Sequence, residues 1–190
     1  MEDYRGMIVR LASDLIRIPT VNFPPDGNEG PGQARLTAFY ESMGLAIDRF
    51  SPSELPEYPS NPEFLPRNLA GRENLVGTWR GSGGGRSVLI TGHMDVVPIE
   101  PLPWTITEPF EPKVLDGRLY GRGSADMKGG LAAAAVAVRM LKDEGFRPRG
   151  DVILESVVDE EYAGANGTIA SRLKGINADF AIVPEASGHD

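Results

Sequence analysis

Apolar residues recur at helical spacing from the start of the chain. Met7, Ile8, Leu11, Leu15 and Ile16 share one face of a helix over residues 3 to 16, which Pro19 closes. The turn formers of Phe23-Pro-Pro-Asp-Gly-Asn-Glu-Gly-Pro-Gly32 predict a loop, and a second helix covers Ala34 to Met43 with Gly44 as its terminator. Residues 51 to 72, rich in Pro, Ser and Asn, read as a long surface excursion outside the core. Short apolar runs then take over. They predict strands over Asn74 to Arg80, Ser87 to Thr91, Val152 to Val158 and Phe180 to Val183. Helices are expected over Met127 to Leu141, where Ala132 to Ala135 permit close approach to a sheet, and over Asn166 to Leu173. Pro98 to Gly117 is irregular, with Trp104 and Phe110 packing it down. Alternation of strand and helix from Arg86 onward predicts an α/β fold, a mostly parallel sheet with helices on its faces.

Composition narrows the classes of function. The 190 residues carry a formal charge of -8, which argues against a phosphate-backbone partner. No run of apolar residues is long enough to span a bilayer, and the first ten residues lack a signal-like apolar core. Cysteine is absent, so there is neither a disulfide framework nor a thiolate site. A cytoplasmic location is the expectation. Glu185-Ala-Ser-Gly-His-Asp190 follows the last strand directly, where a helix would ordinarily cover the sheet, so the chain is expected to be part of a longer protein.

The chemistry sits just past the apolar runs, where open α/β sheets place their sites. His93 and Asp95 follow Ser87-Val-Leu-Ile-Thr-Gly92; Asp126 lies in a glycine-rich turn; Asp159-Glu-Glu161 and Glu185 follow the last two strands. His93 and Asp95, two apart, share a face of an extended backbone, so Asp95 can orient a metal-binding imidazole instead of binding the metal itself. The competing reading of His93 is a satisfied core histidine, and that of Asp126 is a helix N-cap. Three adjacent carboxylates repel unless a cation or shared proton relieves them. One division gives Glu161 to a metal and leaves Glu160 to take a proton from water and deliver it to a leaving amine. Glu185 is a further oxygen ligand. Lys128 either pairs with a carboxylate or lies on the helix surface, and Arg118 and Arg122 are candidates for a substrate carboxylate. Gly81-Ser-Gly-Gly-Gly85 lacks the Lys-Ser/Thr ending of a phosphate loop, and no serine sits in a Gly-x-Ser-x-Gly elbow.

Gly92-His-Met-Asp-Val-Val-Pro98, Gly121-Arg-Gly-Ser-Ala-Asp-Met-Lys-Gly-Gly130, Asp159-Glu-Glu161 and the opening Leu15-Ile-Arg-Ile-Pro-Thr20 together resemble the zinc-dependent aminoacylase and peptidase family. That family includes acetylornithine deacetylase, succinyl-diaminopimelate desuccinylase and carboxypeptidase G. The resemblance implies a three-layer, mixed but mostly parallel sheet with helices on both faces, the N-terminal part of a catalytic domain that residues 1–190 leave incomplete at the C-terminus. It implies two divalent ions, zinc first and cobalt or manganese otherwise. His93 and Glu185 would hold one ion, Glu161 the other, and Asp126 would bridge them, with Asp95 holding the His93 ring and Glu160 acting as general base and acid. It also implies a cis peptide at Asp126-Met127. The family's second histidine and its lid and dimerisation domain have no counterpart here, and His189 is expected on the surface. Glu185 stands in Pro-Glu-Ala where many relatives have Gly-Glu-Pro.

The implied activity is hydrolysis of the amide bond of an N-acyl amino acid, with a dipeptidase or carboxypeptidase as the alternative, in a protein that is a homodimer at full length. A non-catalytic metal-binding or scaffold module stands as the reading from another class.

Overall fold

The computed structural model describes residues 3–187. Helix α1 (Tyr4–Ile16) opens on Asp3, whose carboxylate accepts the Gly6 N–H at 2.9 Å. Helix α2 (Gly30–Ser42) starts four residues before the sequence pattern indicates, because Pro31 occupies the first turn, where a missing N–H is no loss. Strand β1 (Ala46–Phe50) was not evident from the apolar pattern. It carries Asp48 and Arg49 and forms by pairing antiparallel with β2 (Asn74–Trp79). There follow β3 (Val88–His93), a hairpin of β4 (Lys113–Leu115) and β5 (Arg118–Tyr120), α3 (Lys128–Asp143), β6 (Val152–Val157), α4 (Gly167–Leu173) and β7 (Phe180–Ile182). The hairpin interrupts a stretch predicted as irregular. Its turn is Asp116-Gly117, both at positive φ (50° and 75°), the pair that a two-residue turn of primed type requires.

The main sheet has the order β1-β2-β6-β3-β7. β6, β3 and β7 run parallel, and β2 lies antiparallel to both its neighbours. Alternation along the strands divides the core in two. Leu75 and Leu154 face a cluster with Leu11, Leu15, Leu36, Tyr40 and Leu131 from α1, α2 and α3. Val76 and Ile153 face the other side, against Phe50, Leu55, Phe64 and Ala170 of α4. Helices thus cover both faces. Leu55 and Phe64 also correct the reading of residues 51 to 72 as a surface excursion: this segment, which includes a 3-10 turn over Pro52–Glu54, caps the second face and buries Leu69 and Arg72. Trp104 and Phe110 are half-buried. Among the described residues no helix is long and apolar enough to cross a membrane.

Register carries the consequence for function. Val88 pairs with Val152 and His93 with Val157, so β3 and β6 end side by side and their following segments emerge at one edge. Ile90 pairs with Ile182, and continuing that register three residues brings Glu185 level with His93. Gly130 permits this approach, since a Cβ there would collide with the Pro184 carbonyl oxygen.

Leu36 has no exposed surface and lies where α2 meets the sheet. Leu36→Ala is expected to destabilise the fold by about 2 to 5 kcal/mol, read as a lower urea midpoint at unchanged slope.

Candidate metal centre

His93 closes β3 with its side chain buried. Its Nδ1 lies 2.9 Å from the backbone carbonyl oxygen of Asp95 and 3.6 Å from that residue's Oδ1, so the carbonyl takes the hydrogen bond and the carboxylate adds charge. Nε2 points the other way, to Asp126 Oδ1 at 2.9 Å, Glu185 Oε2 at 3.2 Å and Glu160 Oε2 at 3.7 Å. Glu161 joins the group from the segment after β6, with Oε1 accepting the Val97 N–H at 3.1 Å. Ligand atoms of His93, Asp126 and Glu161 all lie within 4.8 Å of one another, forming a triad able to hold a metal ion. The Asp126-Met127 peptide is cis, and α3 begins at the next residue. Met127 offers no side-chain cap to that helix, and Asp126 faces the histidine.

Asp95 is fully buried and receives three N–H groups: Glu160 at 3.1 Å, Glu161 at 3.0 Å and Asn22 Nδ2 at 2.8 Å. Burial alone would raise its pKa, but His93, Asn22 and the Glu161 N–H outweigh it and hold the carboxyl below the usual range. The acidic triple divides at Asp159. That residue stands at positive φ (58°) and turns its carboxylate inward, onto Asn166 at 2.6 Å, Asn22 at 2.9 Å, Arg72 at 3.2 Å and Arg67 at 3.3 Å. Arg72 also binds Glu29, at 2.6 and 2.8 Å. Only Glu160 and Glu161 are left to face the histidine.

These supporting groups were missed from sequence. Asn22, Arg67 and Arg72 lie 137, 92 and 87 residues from Asp159, and no local motif links them to it. Lys128 takes neither position expected of it. It is fully buried, and Nζ donates to the carbonyls of Leu15 (2.9 Å) and Ile18 (2.8 Å) at the end of α1. Burial pulls its pKa down to about 7, against the pull of the Asp95 charge. Arg122 is engaged by Glu100 and lies over the Trp104 ring, and Arg118 is exposed on β5. His189 falls outside the described residues.

Charge in the cluster is unbalanced. Burial and the Asp126 charge push Glu161 up to about 7, against the lowering effect of His93. Glu185 is raised by burial and by Asp126. Burial would lower the His93 pKa, but Asp95, Glu160 and Glu185 carry it up to about 10. A divalent cation would relieve this crowding of carboxylates around one imidazole, taking the place of protons, so the donor set fits such an ion. A cleft of about 210 Å³, lined by Thr91, Val157, Thr168 and Val183, adjoins His93 and Glu160. A larger one of about 600 Å³, beside Arg86 and Arg149, lies at the opposite ends of β3 and β6 and contains none of these groups.

An imidazole ringed by carboxylates thus stands at the carboxyl ends of an open α/β sheet, where such sheets place their sites. The family model of Peptidase family M20/M25/M40 matches residues 89–190. The chain is 32% identical to N-formyl-4-amino-5-aminomethyl-2-methylpyrimidine deformylase of Bacillus subtilis over 189 residues, 98% of this chain and 40% of that one. It is 35% identical to succinyl-diaminopimelate desuccinylase of Rhodospirillum centenum over 162 residues, 84% of this chain and 37% of that one. In structure it is similar to a tripeptidase of Staphylococcus aureus, with a TM-score of 0.68 at 23% identity over 96% of this chain and 44% of that one. Human carnosine dipeptidase 1 gives 0.68 at 17% identity, over 95% and 38%. The chain belongs to peptidase family M20/M25/M40. It spans about 40% of the length of the curated relatives it matches.

Linkage gives the pH dependence a sign. His93, raised from 6.5 to about 10, stabilises the metal-free fold below about 6.5 and loses that effect as pH rises through 10. Glu161, raised from 4.5 to about 7, becomes unfavourable to the metal-free fold as pH climbs from 4.5 through 7. A cation must displace both protons. Zinc binding at neutral pH is therefore expected to release protons and to tighten with rising pH. Titration calorimetry in two buffers of different ionisation enthalpy measures this, and equal apparent enthalpies would contradict it.

Proposed function

We propose that this chain carries the catalytic metal centre of an amidohydrolase that cleaves the amide bond of an N-acylated amino acid, with Glu160 as general base. In this reading His93, Asp126 and Glu185 would hold one divalent ion and Glu161, with Asp126, would hold a second, zinc being the natural choice for an imidazole–carboxylate set. Such ions, when bound, lower the pKa of water and polarise a carbonyl. The chain's own residues do the rest. Asp95 and its carbonyl fix the His93 ring through Nδ1, leaving Nε2 for the metal. Glu160 takes a proton from the attacking water and hands it to the departing nitrogen, and the products are a carboxylic acid and an amine.

The observation that carries this reading is the convergence of His93, Asp126 and Glu161 within 4.8 Å, with the Glu160 carboxylate beside them but outside that set. The curated relatives at 32% and 35% identity are named for removing formyl and succinyl groups from amines, which favours acylated substrates over peptides.

In the whole protein, Glu160→Gln is expected to lower amine release from an N-formyl, N-acetyl and N-succinyl amino acid panel by about 10²- to 10⁴-fold, with metal content per chain unchanged. Retained turnover with lost metal would reverse the assignment of Glu160.

A further inference from the structure

We propose that Asn22 is a positioning residue for the hydrolysis proposed above, holding Asp95 and Asp159 together so that Glu160 and Glu161 keep their aim; the inference rests on that reading of the site. The loop that carries Asn22 is tied to the segment after β3 by three hydrogen bonds. Thr20 Oγ1 donates to the Met94 carbonyl at 2.6 Å, Val96 N to the Thr20 carbonyl at 3.0 Å, and Asn22 N to the Val96 carbonyl at 2.9 Å. The Asn22 backbone is therefore anchored beside Asp95 independently of its side chain.

The side chain has no exposed surface, and Nδ2 donates both hydrogens to carboxylates, Asp95 Oδ2 at 2.8 Å and Asp159 Oδ1 at 2.9 Å. The opposite amide orientation would set an oxygen against two carboxylate oxygens, so the chemistry permits one orientation only. Asn22 Oδ1, although buried, has no hydrogen-bond partner. Both hydrogens of the Asn22 amide are thus committed to carboxylates.

Those two carboxylates flank the outward-facing acids. Asp95 accepts the N–H groups of both Glu160 and Glu161. Asp159 precedes them and sets their direction through its positive φ of 58°. Arg67, Arg72 and Asn166 bind Asp159, but among the described side chains Asn22 alone hydrogen-bonds both Asp159 and Asp95. Without it, Asp95 and Asp159 each lose a buried donor and the side-chain link between them.

The test uses the whole protein with Asn22→Leu, which removes the donor at similar volume, and Asn22→Ser, which keeps one smaller donor. Asn22→Leu is expected to lower kcat by about 10- to 100-fold with KM unchanged, and Asn22→Ser to give an intermediate value. Loading with cobalt(II) supplies a readout independent of turnover: the visible absorption should shift in Asn22→Leu and shift less in Asn22→Ser. A variant that melts earlier but keeps wild-type kcat and the wild-type cobalt spectrum would overturn the proposal, leaving Asn22 a structural residue. Should Asn22→Leu fail to fold, Asn22→Ser decides by the same two readouts. Wild-type protein that releases no amine from any acyl substrate would overturn the proposed function instead, and the cobalt spectra would then judge Asn22 alone.

Discussion

The buried carboxylate of Asp95 is the constraint around which the site is arranged. A charge with no exposed surface must be met from inside the protein, or the fold carries its full desolvation cost. It is met by the His93 ring, the Asn22 amide and the backbone N–H groups of Glu160 and Glu161. Two of those donors belong to the very residues whose carboxylates face the cluster. Satisfying Asp95 and aiming Glu160 and Glu161 are therefore one event, possible because the β3–β6 register sets His93 against Val157.

A second layer repeats this logic with arginine. Glu29, Asp159 and Glu155 are buried acids, and each has a guanidinium partner: Arg72 for the first, Arg72 and Arg67 for the second, Arg172 for the third. Buried pairs of this kind add little net stability over apolar packing, yet removing one partner strands the other charge. Among the described residues Asp126, Glu160, Glu161 and Glu185 have no such guanidinium and share one imidazole. This contrast separates acids that hold the fold from acids left for a ligand.

Much of the frame was legible in the chain. The apolar runs before His93 and Asp159 form β3 and β6, because central strands are buried on both faces and leave near-continuous apolar sequence; the run before Glu185 forms β7, an edge strand whose apolar residues are exposed. β1 escaped notice because it is an edge strand with Asp48 and Arg49 in its middle. The Asp116-Gly117 turn did carry a signal, but its flanking strands are only three residues each and give too short an alternation to register. Residues 51 to 72 were misjudged for a different reason. Pro, Ser and Asn mark an irregular backbone, and an irregular backbone can still bury Leu55, Phe64 and Arg72 against a sheet.

What the sequence by itself determined was the order of elements and the chemistry at the strand ends. Both are local: a few residues of apolar run, then an imidazole or carboxylate, with the backbone period settling which way each points. Tertiary structure decided which of those acids are neutralised and which are not. Asp159 and Glu160 are neighbours of the same chemical kind. One turns inward to Arg67, Arg72 and Asn22 and the other outward to His93, because a positive φ and partners from 92, 87 and 137 residues away divide them. Lys128 was open to the same ambiguity until α1 packed across α3 and offered the carbonyls of Leu15 and Ile18. Charge compensation acts through space between segments far apart in the chain, so residue type alone cannot assign it.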